Sequence, residues 1–284
     1  MLYTVYTIIS KGAYVLSTYS SSQNSEPIVG TVLFEQRGQI ALLTLSNPSA
    51  LNAMTWQMYE DLTTHLDTVS KDDTVRVVVI RGDGDKAFAA GTDIKQFVTF
   101  SGEDGVAYEE RIDTVTKKLL DLPKPTIAAV HGYAIGGGLI LTAACDLRYG
   151  TSRARFGAPI ARTLGNCLSI RNYSRLTSLL GETRVKELVY TARLLGADEA
   201  LAVGFLNGIF ADDTFFTDVL EVAQGIASRA PLTLWATKVA LSRLRDTSQM
   251  PEFNDVVRRV YGSEDFHEGV VAHIEKRSPN WRGR

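Results

Sequence analysis

Ala87-Phe88-Ala89-Ala90-Gly91-Thr92-Asp93-Ile94 and Ala134-Ile135-Gly136-Gly137-Gly138-Leu139-Ile140 are the two stretches around which this chain is organised. Each follows an apolar run, Val75 to Ile80 before the first and Thr126 to Val130 before the second. Each places glycine where the backbone must turn sharply. Three glycines opening a helix let a ligand approach the backbone closely and leave N–H groups without intrahelical partners. One such run alone is equally suited to tight packing of a helix on a strand. Two such turns are more telling, because a pair of N–H donors converging on one oxygen stabilises the charge of a developing enolate.

Outward from these turns, Thr31 to Gln36, a turn at Arg37-Gly38 and Gln39 to Leu45 read as a β-hairpin, broken by Asn47-Pro48-Ser49. Met58, Leu62, Leu66 and Val69 recur at helical spacing, predicting an amphipathic helix from Met54 to about Lys71-Asp72. Arg76 to Ile80 is a β-branched run expected as a buried strand, stopped by Gly82-Asp83-Gly84. A helix from Gly105 to Leu120 closes at Leu122-Pro123-Lys124-Pro125. Then follow a strand over Thr126 to Val130, the glycine run, a short helix through Ala144 and a strand from Asp146 to Thr151. Strands thus alternate with helices to about residue 155, after which helices dominate. That order fits repeated ββα units wound into a right-handed spiral. Helices are expected over Phe215 to Ala230, Pro231 to Arg245, Pro251 to Tyr261 and Glu264 to Lys276, with Pro231 and Pro251 suited to first turns.

The chain has 284 residues, of which 45% are hydrophobic and 22% charged, enough for one sizeable core. A formal net charge of −2 gives no electrostatic reason to expect nucleic acid or an anionic membrane as partner. No apolar run reaches the roughly 18–20 residues of a membrane-spanning helix. The two cysteines, Cys145 and Cys167, lie far from any metal-ligand spacing and make a disulfide framework unexpected. His65, His267 and His273 fall on expected helices without partners at ligand spacing, so no metal is inferred. Met1 to Asn24 is rich in Tyr, Ser and Thr, with Lys11 its only charge. Residues 1–30 read as an extension, either disordered or a presequence, although the arginines of such peptides are missing. The final Trp281-Arg282-Gly283-Arg284 is not a peroxisomal SKL-type signal, and cytoplasmic and mitochondrial locations both stay open.

From about Thr31 to the C-terminus the chain resembles the crotonase (enoyl-CoA hydratase/isomerase) superfamily. The matching segments are Asn47-Pro48-Ser49-Ala50-Leu51-Asn52-Ala53-Met54, the Phe88–Ile94 turn, Ile135–Gly138, Cys145-Asp146-Leu147-Arg148-Tyr149, Arg155-Phe156-Gly157-Ala158-Pro159 and Glu275-Lys276-Arg277. The resemblance implies an α/β fold, a crotonase-like spiral of repeated ββα units over 31–215 with a helical C-terminal region over 216–284 that mediates trimerisation. It implies that the backbone N–H groups of Thr92 and Gly137 form an oxyanion hole. Ala50, Leu51, Asp93, Ile94, Lys95 and Lys276 would contact coenzyme A, which enters as part of the substrate, with no separate cofactor. The expected partners are an acyl-CoA thioester and further copies of the chain, as a homotrimer or a dimer of trimers. Phe266, Val270, Val271 and Ile274 form an apolar stripe suited to packing on the core or a neighbour.

The chain also departs from the family pattern. Hydratases of this family carry one glutamate three residues after the middle glycine and another after the Phe-Gly-x-Pro stretch. Those positions hold Ile140 and Ile160, and no Asp or Glu lies between Leu147 and Gly181. Isoleucine neither activates water nor delivers a proton, whereas a positioned acid or base contributes about 10²–10⁴-fold. Pro159 to Ser169 is likewise atypical, making Arg162, Asn166, Cys167 and Ser169 candidates for a rebuilt pocket. For Arg162 the plain alternative is a surface ion pair or phosphate contact, for Cys167 a small buried thiol, and for Asn166 a helix N-cap. Asp93 is read as a helix cap and His131 as a structural hydrogen-bonder at a strand end. Glu110 or its neighbour Glu109, on the helix bordering the acyl pocket, would be the replacement carboxylate; the plain alternative is a solvated helix face. The expected function is enolate chemistry on an acyl-CoA, with isomerisation, decarboxylation or C–C hydrolysis favoured over hydration. A catalytically silent binder of CoA esters or a partner protein is the competing class.

Overall fold

A computed structural model describes the backbone of 4–9, 13–18, 102–103 and 245–246, and all atoms of 30–93, 104–163, 165–244, 264, 265, 268, 272, 275, 277 and 279–284. Ile94, Lys95, Lys276, the apolar stripe at 266–274 and the helix expected over Pro251 to Tyr261 lie outside the described residues. In the N-terminal extension, β1 (Thr4–Ile9) and β2 (Ala13–Thr18) pair as an antiparallel hairpin.

The core is built on β3 (Thr31–Arg37), β4 (Ile40–Ser46), β5 (Val77–Gly82), β7 (Thr126–Val130), β9 (Leu147–Gly150) and β12 (Gly208–Ile209), in the order β12-β9-β7-β5-β4-β3. All neighbours run parallel except the β3–β4 hairpin. A second, four-stranded sheet has the order β11-β10-β8-β6, from β6 (Ala87–Ala90), β8 (Tyr133–Ile135), β10 (Arg155–Gly157) and β11 (Leu195–Gly196). The chain passes from the first sheet to the second and then into a helix: β5–β6–α2 (Gly102–Asp121), β7–β8–α3 (Gly137–Ala144), β9–β10–α4 (Ile160–Thr163). These are the repeated ββα turns expected from the order of elements.

The apolar strands are buried on both faces, and their alternation divides them between two cores. Ala41, Leu43, Leu45, Val78, Ile80, Ala128 and Val130 pack inward with Phe88, Ala134 and Phe156 of the second sheet. The same cluster takes the apolar faces of α1 (Trp56–Lys71), α2 and α3. The alternate residues Ile40, Leu42, Val77, Val79, Ile127 and Ala129 meet α8 (Phe215–Ala227) through Phe215, Val219, Ala223 and Ala227. α8, which begins where the helical C-terminal region is expected, thus covers the outer face of the main sheet. His131 packs edge-on against Phe215, ring centroids 4.2 Å apart, where burial lowers its pKa.

α3 is held from behind. Buried Arg148 donates from Nε to Phe205 O at 2.6 Å and from Nη1 to Cys145 O at 2.7 Å and Thr142 O at 3.4 Å, satisfying carbonyls at the helix C-terminus. Farther along, α9 (Pro231–Asp246) is fastened by Lys238, whose Nζ donates to Asp146 Oδ2 at 2.8 Å and to the carbonyls of Leu119 and Lys124.

Candidate active site

The two glycine turns come together where β6 and β8 end. Gly91 (φ +103) leaves β6, and Thr92 then forms a parallel bridge with Met54: Met54 N donates to Gly91 O at 2.9 Å and Asp93 N to Met54 O at 3.0 Å. In such a ladder the N–H of Thr92 is directed to the side opposite Met54. On the other turn Gly136 (φ +51, ψ −114) donates to Gly157 O at 2.9 Å and starts α3. Its C=O accepts from Ile140 N, so the N–H groups of the first turn, Gly137 among them, have no partner within the helix. A Cβ placed on Gly137 would lie 3.2 Å from Thr92 Oγ1 and 3.8 Å from Gly91 C, which measures how closely the turns approach. Gly138 serves packing: a Cβ there would sit 2.1 Å from Ala89 O, so only glycine lets α3 press onto β6.

A cavity of about 330 Å³ opens at this junction. Thr92 and Gly137 lie in its wall, and Ile112, Ile135, Ile140, Ile160 and Leu168 make it apolar. Ile140 and Ile160 are both buried there, so neither places a carboxylate in the chamber. Among the described lining residues the single carboxylate is Glu109.

That corrects the expectation for Glu110, which is exposed and does not line the cavity. The reason is helical phase. α2 buries Ile112, Val115 and Leu119; Glu109 lies one turn before Ile112 on that face, and Glu110 is rotated outward by about 100°. Glu109 Oε2 accepts the N–H of Ser169 at 2.7 Å. Burial, reinforced by the charge of Asp113 and opposed by the Ser169 N–H, pushes its pKa from 4.5 to about 7. Asp113 in turn accepts from Ser169 Oγ at 2.6 Å and Asn172 Nδ2 at 3.1 Å. Ser169 caps α5 (Ile170–Leu180), its Oγ accepting from Asn172 N. Asn166, expected as a possible cap, is instead an exposed residue at the cavity rim. Cys167 is exposed, not buried, and Arg162 is exposed on α4.

Two tyrosines were not singled out from the sequence. The hydroxyls of Tyr59 on α1 and Tyr108 on α2 lie 3.0 and 2.7 Å from Thr92 Oγ1, clamping the turn that carries the Thr92 N–H. Burial pushes both phenols above their ordinary range, so they stay protonated. Tyr59 falls beside Met58 on the apolar stripe of α1, and a buried tyrosine needs a partner for its hydroxyl; that was the available signal.

Ala50 and Leu51 are exposed on the 47–54 loop, outside the cavity but next to the first turn, since Leu51 O accepts from Ala90 N at 3.0 Å. Asp93 is partly buried, and the helix it was expected to cap would lie in 94–101, outside the described residues.

The family model for enoyl-CoA hydratase/isomerase matches residues 35–284. The short-chain-enoyl-CoA hydratase of Clostridium acetobutylicum is 32% identical over 253 residues, 88% of this chain and 96% of that protein. The crotonyl-CoA hydratase of Syntrophomonas wolfei is 30% identical over 253 residues, 88% and 97% of the two chains. Among solved structures, an enoyl-CoA hydratase/carnithine racemase from Magnetospirillum magneticum superimposes with a TM-score of 0.84 at 31% identity, covering 89% of this chain and 96% of that one. A family match running from residue 35 to the last residue, on a shared fold, means that the chain belongs to the enoyl-CoA hydratase/isomerase family.

Proposed function

We propose that this chain is an enzyme of acyl-CoA thioesters that receives the thioester oxygen on the N–H groups of Thr92 and Gly137 and works through an enolate. The observation that carries the reading is the convergence of two N–H-bearing glycine turns on one apolar cavity. Such donors act at the atom where charge develops, and losing one typically costs about 10²–10³-fold in turnover. The acyl group occupies the chamber between Ile140 and Ile160. Ala50, Leu51, Asp93, Ile94, Lys95 and Lys276 are assigned to the CoA portion, in a homotrimer or a dimer of trimers.

The same cavity argues against efficient hydration. Syn addition of water to a 2-enoyl thioester needs one group to activate the water and one to protonate the α-carbon. Ile140 and Ile160 supply neither. Reactions that keep every atom of the acyl chain, such as a double-bond shift, or that lose a fragment from it, place more of the work on the oxyanion donors.

The test is hydration of crotonyl-CoA by the purified protein, followed by loss of enoyl absorbance and by product mass, beside calorimetric binding of butyryl-CoA. Binding with little or no hydration is the expected result. Fast hydration would overturn the reading of the two isoleucines. Binding without turnover of any acyl-CoA in a wide panel would favour a silent binder, the class that two isoleucines in an intact scaffold also suit.

A further inference from the structure

Glu109 stands out among the groups that the family resemblance does not employ. It is the single carboxylate among the described residues lining the cavity, and it comes from α2, which also lines the chamber with Tyr108 and Ile112. The preceding residue, Tyr108, hydrogen-bonds Thr92 on the first glycine turn, and Glu109 itself accepts the N–H of Ser169, the N-cap of α5. One carboxylate oxygen, Oε2, is thereby held, while Oε1 takes no hydrogen bond from the described residues. A carboxylate anchored through one oxygen, with the other unengaged in an apolar chamber, is suited to proton transfer with a bound carbon acid.

We infer that Glu109 is the acid–base residue of this site, moving the proton at the α-carbon of the thioester whose oxygen rests on Thr92 and Gly137; the inference depends on the thioester reading given above. In the forward step the Cα–H bond breaks and an O–H bond forms on Glu109. The electron pair forms a Cα–carbonyl double bond, and the carbonyl π pair moves onto oxygen as the enolate. With a 3-enoyl chain the enolate is conjugated, and Glu109 returns its proton to the γ-carbon, leaving the 2-enoyl thioester. No atom is gained or lost, so one carboxylate suffices where hydration would require more.

Among the described residues, the charged and titratable groups around Glu109 are few. Asp113 lies one turn on along α2, and Tyr108 precedes it on the same helix. Tyr59 approaches from α1, and Arg171 on α5 stands 3.9 Å from Asp113. α3 and α4 present Ile140, Ile160 and Thr163, which are uncharged. An acid ionising near pH 7 would shape the rate accordingly: as a base it is active when deprotonated.

The experiment uses the full chain and 3-butenoyl-CoA in H2O and D2O, reading crotonyl-CoA by absorbance and deuterium in substrate and product by mass, across pH 5 to 9. The expected result is conversion whose kcat/KM rises through about pH 7. Glu109→Gln, whose amide oxygen still accepts from Ser169 N–H, is expected to lose about 10²-fold or more in kcat with KM changed only a few-fold. Glu110→Gln is expected to match the parent, and the two variants should share its thermal midpoint to within a few degrees. Full kcat in Glu109→Gln, or a parental profile flat across pH 7, would overturn the assignment. So would an absence of both conversion and deuterium exchange while butyryl-CoA still binds, an outcome that leaves the thioester reading standing. Failure to bind butyryl-CoA at all would remove that reading and the assignment together.

Discussion

At Gly137 the two requirements of the proposed site meet: a first-turn N–H in the cavity wall and no side chain in the way. A Cβ there would lie 2.9 Å from Tyr59 Oη and 3.2 Å from Thr92 Oγ1, displacing the hydroxyls that position the first turn. Gly137→Ala is therefore expected to lower kcat on any acyl-CoA it processes by about 10²-fold, the scale of losing one oxyanion donor. Circular dichroism should report a folded protein. At Glu109 the raised pKa is also a statement about stability. The folded state binds its proton more tightly than the unfolded chain does, so the stability linked to that proton is fully present below pH 4.5 and is lost as pH rises through about 7. Urea midpoints measured from pH 4.5 to 8 should show a downward component in the parent that is missing in Glu109→Gln. The choice between Glu109 and Glu110 was legible in principle, from the phase of Ile112, Val115 and Leu119, but two adjacent acids look alike until that phase is applied.

The element that matters most is α3, whose N-terminus lines the candidate cavity and whose C-terminus is tied down by Arg148. The guanidinium satisfies carbonyls of Thr142, Cys145 and Phe205, and stacks over the Phe205 ring at 5.2 Å. Hydrogen bonds to a charged group contribute about 1.5–3 kcal/mol each and are not additive. Arg148→Ala is expected to destabilise the chain by about 3 kcal/mol in urea unfolding. Because the loss frees the helix end opposite the candidate cavity, KM for the proposed acyl-CoA substrate should rise too. The helices were readable from their apolar spacing: α1 was expected from Met54 and runs Trp56–Lys71, while the short glycine-led helix does end at Ala144. The clamp of Tyr59 and Tyr108 on Thr92 was not readable, because it joins three elements that are distant in sequence.

Among the described residues, two cores lie on either side of one mainly parallel sheet, one enclosing the candidate site and the other covered by α8. The resemblance implies trimers built through the C-terminal helices, a proposal to be tested in solution; on α9, Leu241 and Leu244 are about half exposed. Sedimentation equilibrium is expected to give three or six times the 31.1 kDa chain mass; a monomer at micromolar concentration would remove that proposal. Strand alternation, helical spacing and glycine punctuation are local properties, and they were enough to read the ββα order and the two turns; the meaning given to Ile140 and Ile160 came only through the family resemblance. Which groups share the cavity is a non-local property. Glu109 meets Ser169, and Tyr59 meets Thr92, only after the sheets and helices have packed, because hydrogen-bond partners and desolvation arise from contacts between segments that sequence order keeps apart.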